Sequence, residues 1–283
     1  MATENRRGDK PSSEKMAQME RNAYLRARGV DPSLPMQLDI WPNDMRAIPN
    51  DYARSALFMV RGRGEERATM QGAVLFHVDK AVTVTYTGIE LRAEDDQLVW
   101  QQIIHYAREL PLGEPVTFST GQILADIGWK NNGAYYQKVR NCIERLKANS
   151  VRVSNVRLGR GVGVSLIARY EFDKETASGS SGALYTVWID PDLMVFFAGQ
   201  NYTRVAWVGY RELSPVARRL HDYIASHKAP YPLPLQTFHL MCGSRCSSER
   251  KWTQMVKKAC LEVQGAGLVK SAWVDSGRVV IER

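Results

Sequence analysis

The sequence predicts an α+β fold in which two tandem domains follow a flexible N-terminal segment. Its 283 residues suffice for two domains of ordinary size, each with its own core. A helix, a short second helix, a turn, a basic helix and a β-hairpin follow one another in this order twice along the chain. The first dozen residues lack apolar periodicity and have the polar composition of a flexible tail. We therefore place the segment at residues 1–50 and the domains at residues 51–198 and 199–283.

The charge of the chain predicts a polyanionic partner. The formal net charge is +8 and the pI is about 9.3. Nucleic acid is the leading candidate, although a membrane surface is also anionic. No apolar run approaches the roughly 20 residues that span a bilayer, and the N-terminus is too polar for a secretory signal. We expect a cytoplasmic protein without membrane contact, whose four cysteines are free thiols.

The first half of the chain begins with predicted strands. Residues 53–61, 69–78 and 81–86 have the alternation and glycine punctuation of strands. Residues 94–108 then take up a helical period, and the acidic residues at its start suit the positive end of the helix dipole. We assign this acidic group to helix formation and assign no catalytic residue to it.

A helix-turn-helix pattern follows. Ser119 or Thr120 caps a short helix that ends at residues 127–128, residues 130–133 form a turn, and residues 134–148 form a second helix. Side chains of the kinds that read base edges and grip phosphates lie opposite its apolar stripe. An ordinary α+β core with a solvated basic helix face is the alternative interpretation. The candidate DNA-binding residues are Lys130, Asn132, Gln137, Lys138, Arg140, Asn141 and Arg145.

A β-hairpin is predicted directly after this helix. Residues 151–158 and 162–170 form its strands, and its glycine-rich turn would place Arg157 and Arg160 beside DNA as a wing. Residues 173–182 have the composition of a mobile loop, and residues 184–189 return to strand character.

The C-terminal region repeats the pattern. Ser214 and Pro215 open a helix, residues 235–242 form a short one closed by Gly243, and a longer helix runs to about residue 264. A hairpin with its turn at residues 275–277 ends the chain as a second wing. The recurrence favours two winged-helix domains over a coincidental basic face. The candidate DNA-binding residues here are Ser248, Arg250, Lys251, Gln254, Lys257, Lys258 and Arg278.

The chain resembles the TrfA family of replication initiators from broad-host-range plasmids over essentially its whole length. The resemblance is carried by residues 37–42, 48–55 and 128–145 and by the Lys251-Trp252 pair. It implies an initiator that binds directly repeated origin sites, called iterons, through two winged-helix domains and helps to open adjacent A·T-rich DNA. It also implies recruitment of host DnaA, the replicative helicase and the sliding clamp, and self-association into dimers. The early strands could serve dimerisation or complete the sheet of the first domain.

The peptide of residues 37–41 is similar to the clamp-binding peptide of bacterial DNA-processing proteins, Gln-Leu-x-Leu-Phe in form, with Ile40 and Trp41 in the last two places. Gln37 with the apolar anchors Leu38, Ile40 and Trp41 could fill a groove on a partner. Alternatively, these side chains pin the N-terminal segment onto the first domain.

Enzymatic interpretations find little support in the sequence. No phosphate-binding loop is present, and no cofactor, metal or catalytic residue is assigned. His239, Cys242, Cys246 and Cys260 could be drawn as a zinc site, but His239 and Cys242 lie on a helix whose apolar side needs small fillers, and Cys260 lies on the inward stripe of the next helix. A rolling-circle nicking enzyme would need clustered histidines near a nucleophilic tyrosine, and the five histidines are dispersed. A transcriptional repressor remains open, since it would use the same helices, commonly as a dimer on a palindrome.

Overall fold

A computed structural model describes residues 13–27, 31–33, 37–62, 64–155, 160–173, 182–198 and 201–282. These residues form an α+β fold, as expected. We use "N-terminal unit" for the described residues from 51 to 198 and "C-terminal unit" for residues 201–282. Among the described residues, no helix has both the length and the apolar character required to cross a bilayer.

The elements follow one another as helices and strands in mixed order. The helices are α1 Ser13–Ala27, α2 Asn50–Ala53, α3 Asp96–Ala107, α4 Thr120–Ile127, α5 Gly133–Lys147, α6 Met194–Phe197, α7 Trp207–Glu212, α8 Pro215–Ala225, α9 Leu235–Met241 and α10 Glu249–Gly265. The strands are β1 Met45–Pro49, β2 Phe58–Met59, β3 Thr69–Leu75, β4 Val82–Ile89, β5 Leu91–Arg92, β6 Pro115–Ser119, β7 Asn149–Asn155, β8 Arg160–Val164, β9 Arg169–Phe172, β10 Leu184–Trp188, β11 Tyr202–Ala206, β12 Leu233–Pro234, β13 Ser271–Asp275 and β14 Arg278–Glu282.

The N-terminal unit is built around helix α3. Val99, Trp100, Ile103 and Ile104 are fully buried on this helix, which packs against α4 and α5. Strand β6 leads into α4 and forms an antiparallel sheet in the order β6-β10-β9. The acidic start of α3 behaves as predicted, because the Asp95 carboxylate accepts a hydrogen bond from the backbone N–H of Asp96.

The C-terminal unit has a sheet of matching topology. Strand β12 leads into α9, and the sheet has the order β12-β14-β13. In both units the strand before the helix pair lies beside the last strand of the following hairpin. Ser276 and Gly277 join β13 to β14 with φ values of 43° and 74°. Positive φ at both central residues is typical of the type I′ turn that suits a tight hairpin.

A four-stranded antiparallel sheet, β3-β4-β7-β8, is also part of the N-terminal unit. The hairpin of β7 and β8, which we interpreted as a wing, belongs to this sheet. The continuous strand expected over residues 162–170 is wrong, because the chain leaves this sheet after β8 and joins β10 as β9. Leu166 and Ile167 are fully buried in between, and the Ile167 N–H donates to the carbonyl of Leu146 at 3.0 Å. Burial of these apolar side chains therefore carries the chain from one sheet to the other.

The strand expected over residues 53–61 is also wrong for most of its length. Residue 53 ends α2, and only Phe58 and Met59 form a strand, which pairs with β5 in parallel. Nearly all of these residues are buried on every side, so the apolar run reflects the core and not a strand. Strand β1, which we did not expect, pairs with β11 across both predicted domain boundaries.

Candidate nucleic-acid interface

Helix α10 presents the most basic exposed face of the C-terminal unit. Its inner face buries Trp252, Val256, Cys260 and Val263, at steps of three and four residues. The Ser248 hydroxyl caps the helix by accepting a hydrogen bond from the Lys251 N–H at 3.3 Å. The predicted outward residues are all exposed, namely Arg250, Lys251, Gln254, Lys257 and Lys258.

The exposed face of helix α5 carries uncharged amide side chains as well as basic ones. The side chain of Asn132 caps it by accepting from the Tyr135 N–H at 3.2 Å, and Lys130 is exposed in the turn before it. Gln137 and Asn141 are exposed one helical turn apart, and the Gln137 amide donates to the Asn141 side-chain oxygen at 2.7 Å. Amides of this kind can pair with adenine in the major groove.

Two basic residues of α5 are partly engaged in contacts within the protein. The Lys138 ammonium lies 4.5 Å from the ring centroid of Trp129 and 4.0 Å from the Glu94 carboxylate. The Arg140 guanidinium pairs with Glu144 at 3.1 Å. Both side chains remain about one third exposed, at 29% and 35%, so a phosphate could still compete for them.

Arg145 differs from our expectation that it faces DNA. Its side chain is 13% exposed, and its guanidinium lies 2.8 Å from Asp96 and 3.5 Å from Asp95. Arg67 contacts the same two carboxylates at 2.6 and 2.7 Å. Arg145 thus closes a buried ion-pair cluster and is not available to DNA. Residue periodicity missed this, because the carboxylates lie about 50 residues away in the sequence.

The same ion-pair cluster contains side chains of the kinds that bind metal ions. Among the described residues, Asp95, Asp96 and Cys142 bring ligand-type atoms close together. Arg67 and Arg145 supply the positive charge there, so the donor set does not fit a cation. Burial, and then the neighbouring Asp95, raise the pKa of Asp96 to about 6.

The hairpins add further basic residues. Arg278 is exposed at the start of β14, beside the turn, as expected. Arg157 lies outside the described residues, as does most of the loop of residues 173–182. Arg160 is the first residue of β8, but its side chain is not among those described. Sequence reasoning overlooked Arg169 on β9, whose side chain is 63% exposed and stacks 4.6 Å from the Trp188 ring centroid. Strand β9 also approaches α5, because the Arg140 guanidinium lies 5.7 Å from the Phe172 ring centroid.

The peptide of residues 37–41 packs on the N-terminal unit. Leu38 and Trp41 are 2% and 1% exposed, and the indole N–H of Trp41 donates to His105 Nδ1 at 3.1 Å. The Gln37 amide contacts the carbonyl of Arg108 at 3.4 Å, whereas Ile40 is 71% exposed. The structure therefore agrees with the alternative in which these side chains pin the segment to the protein. Two of the anchors expected for clamp binding are buried in the core.

Comparison with known proteins places the chain in a family. A family model described as TrfA protein matches residues 7–283. The plasmid replication initiator protein TrfA of Escherichia coli is 47% identical over 243 residues, which are 86% of this chain and 63% of that relative. The chain thus spans less than two thirds of the length of this curated relative.

Solved structures show a similar fold. A structure of domains 2 and 3 of RctB aligns with a TM-score of 0.55 and 13% identity, covering 82% of this chain and 95% of that chain. A second structure of RctB domains 2 and 3 aligns with a TM-score of 0.51 and 12% identity, covering 81% and 95%. At these identities the similarity concerns the fold alone. Because the family model spans nearly the whole chain and the E. coli relative shares almost half of the aligned residues, the chain belongs to the TrfA family.

Proposed function

We propose that this chain initiates plasmid replication by binding directly repeated sites in the origin as a sequence-specific double-stranded DNA-binding protein. The observation that carries the proposal is the duplication of one arrangement. Each unit has a strand, a short helix and a capped longer helix with exposed polar or basic residues, followed by a hairpin. The name of the E. coli relative, plasmid replication initiator protein, supports the same role.

We further propose that both units, residues 51–198 and 199–283, are winged-helix domains. The order helix, strand, helix, helix, strand, strand is α8-β12-α9-α10-β13-β14 in the second unit. The first unit has the same order, α3-β6-α4-α5-β9-β10, except that β7 and β8 of the four-stranded sheet are inserted between α5 and β9. This assignment makes the hairpin of β9 and β10 the first wing, in place of β7 and β8. The corresponding wing of the second unit is the hairpin of β13 and β14, with Arg278 beside its turn.

In this proposal, helices α5 and α10 enter successive major grooves on one face of the duplex. Gln137 and Asn141 suit adenine, while Arg250 and Lys251 suit guanine or phosphate. Because the two helices carry different side chains, one chain reads an asymmetric site, and direct repeats each bind one monomer. Repeated binding strains the adjacent DNA until it opens, so binding energy does the work and no enzymatic step or cofactor is required.

Host partners are proposed from family membership. The proposed host partners are DnaA, the replicative helicase and the sliding clamp, all met in the cytoplasm. We also propose that the chain associates with itself into dimers. A clamp contact through Gln37, Leu38, Ile40 and Trp41 would require the peptide to detach, because Leu38 and Trp41 are buried. The exposed side chain of Ile40 alone offers little apolar area to a groove.

A transcriptional repressor is the second candidate, since the same exposed helices would serve it; a nicking enzyme has weaker support. An affinity titration of the purified protein separates these roles, using origin DNA with direct repeats, a shuffled sequence and a palindrome across a salt series. Repeat-selective binding by monomers is expected. Equal affinity for shuffled DNA, or dimeric binding to the palindrome, would contradict the proposal.

A further inference from the structure

Buried polar contacts join the two units through helix α8. Arg219 and Asp222 on this helix are fully buried and paired at 2.7 Å. The Arg219 guanidinium also donates to the carbonyls of Ala53 and Ser55 in the N-terminal unit, at 2.9 and 2.5 Å. The fully buried Gln97 on α3 donates to Asp222 at 2.8 Å. Each of these bonds has a preferred direction, so together they hold α8 against α3 and against the end of α2.

A second group of contacts holds the turn between α9 and α10. The backbone N–H of Val60 donates to the carbonyl of Cys242 at 2.8 Å, and the Arg61 guanidinium donates to the carbonyl of Gly243. Arg61 also pairs at 2.8 Å with Glu90, which is fully buried. Arg245 from the C-terminal unit approaches the same carboxylate at 3.4 Å. The turn that immediately precedes the basic helix is therefore bonded to the N-terminal unit.

We propose that these two groups of contacts, the interdomain lock, hold α5 and α10 at one fixed spacing and angle, so that the protein recognises only half-sites of matching spacing. The two groups lie on different elements, α8 and the α9–α10 turn, and two separated attachments prevent rotation about either one. Sliding would separate the Arg219 guanidinium from the carbonyls of Ala53 and Ser55, and Gln97 from Asp222, and leaving such buried hydrogen bonds unmade is unfavourable. The spacing rule rests on the proposed function, whereas the rigidity of the free protein does not.

Gly243 offers a way to disturb the lock without removing a charge. A Cβ at this position would lie 2.9 Å from Met59 Cγ, across the contact between the units. Its φ is +54°, so a substitution also strains the backbone. Gly267 is a matched control in the same unit, because its φ is +68° and nothing lies within 4 Å of its Cβ position. Gly243→Ala and Gly267→Ala therefore share the backbone strain, and only the first also places a Cβ against a side chain of the other unit.

Distances between spin labels on the free protein test rigidity directly. Labels at Glu144→Cys and Leu261→Cys report on α5 and α10 at exposed positions outside the candidate DNA contacts. Cys246→Ser removes the one half-buried cysteine, since the other three are buried. We expect one narrow distance distribution for this background and for Gly267→Ala, and a broadened or shifted one for Gly243→Ala. Met59→Ala, added to Gly243→Ala, removes the contacted Cγ and should restore the narrow distribution.

A broad distribution in the unmodified background, or identical distributions for Gly243→Ala and Gly267→Ala, would overturn the proposed lock. Should Gly243→Ala fail to fold, Arg61→Ala serves as the second variant, because it deletes the contacts to Glu90 and the Gly243 carbonyl. The same broadening is expected there, and an unchanged distribution would again contradict the lock.

DNA binding tests the spacing rule. The probe is the origin repeat of the plasmid that encodes the chain, with insertions between the two protected segments. An insertion of about 5 base pairs turns one half-site to the opposite face of the duplex. We expect the unmodified chain to lose about a hundredfold in affinity, and Gly243→Ala to lose less than about tenfold, because loosely joined units can still bind together. Equal losses would refute the rule. Absence of any repeat-selective binding by the unmodified chain would instead refute the proposed function. In that case the spin-label distances alone would test whether the two units are rigidly joined.

Discussion

At the scale of single residues, burial decides what a basic side chain does. Arg145 and Lys257 both follow the outward spacing of their helices in the sequence, yet Arg145 pairs with Asp96 inside the protein and Lys257 is exposed. The period of a helix predicts its faces, but it cannot show that a second element covers part of the outer face. For this reason the sequence wrongly predicted that Arg145 faces DNA.

Arg145 therefore has a predicted effect on stability. Arg145→Ala should lower the free energy of unfolding by about 3 kcal/mol, because Asp95 and Asp96 would lose half of their positive partners. Gln137→Ala on the exposed face of α5 is the matched control and should change stability by less than about 0.5 kcal/mol. Urea unfolding of both variants measures the difference. Similar midpoints and slopes for both would show that the buried cluster contributes nothing.

His105 predicts a pH dependence for the packing of Trp41. Burial, and then Arg46 and Arg108, lower the pKa of His105 to about 3, so its Nδ1 stays neutral and accepts from the indole. In the unfolded chain, the His105 ring binds a proton at pH values below about 6.5. Stability from the neutral ring is therefore complete above that pH and is lost as the pH falls toward 3, with a limiting slope of about 1.4 kcal/mol per pH unit.

A variant isolates this contribution. His105→Asn keeps an acceptor near the indole N–H but does not titrate, so its stability should fall less steeply between pH 6.5 and 3 than that of the unmodified chain. Urea unfolding across this range, followed by tryptophan fluorescence, gives both profiles. Parallel profiles would contradict a buried neutral histidine.

At the scale of elements, helix ends were predicted best. Ser119 and Ser214, which we expected at the starts of their helices, cap them through side-chain oxygens, and each cap is a local signal within three residues. Sheet membership was predicted worst. Both ends of residues 162–170 form strands, since β8 pairs with β7 and β9 pairs with β10. No local signal in the sequence tells which sheet a strand joins.

Helix α10 carries a prediction for DNA binding. Lys257→Ala should weaken binding to every sequence and reduce the salt slope by about 1, because one phosphate contact releases about one counterion. Lys80→Ala is the control, since Lys80 is also exposed but lies between β3 and β4. Fluorescence anisotropy from low to moderate salt measures both. An equal effect of the two substitutions would mean that general charge, and not the α10 face, attracts DNA.

At the scale of the whole molecule, the decisive contacts lie far apart in the sequence. Arg219 reaches the carbonyl of Ser55 over 164 residues, and Arg61 reaches that of Gly243 over 182. Neither composition nor periodicity carries information about such pairs, because the partner atoms are backbone carbonyls that every residue possesses. The sequence therefore predicted the outward residues of α10, but not the contacts that orient this helix against the rest of the protein.

A hydroxyl-radical footprint of monomeric protein on a single origin repeat tests the central claim most directly. Two protected windows are expected on one face of the duplex, about one helical turn apart. Gln137→Ala with Asn141→Ala should weaken one window, and Lys251→Ala with Gln254→Ala the other, because α5 and α10 each read one groove. A single window, or two windows that respond equally to both pairs of substitutions, would contradict recognition by two separate units.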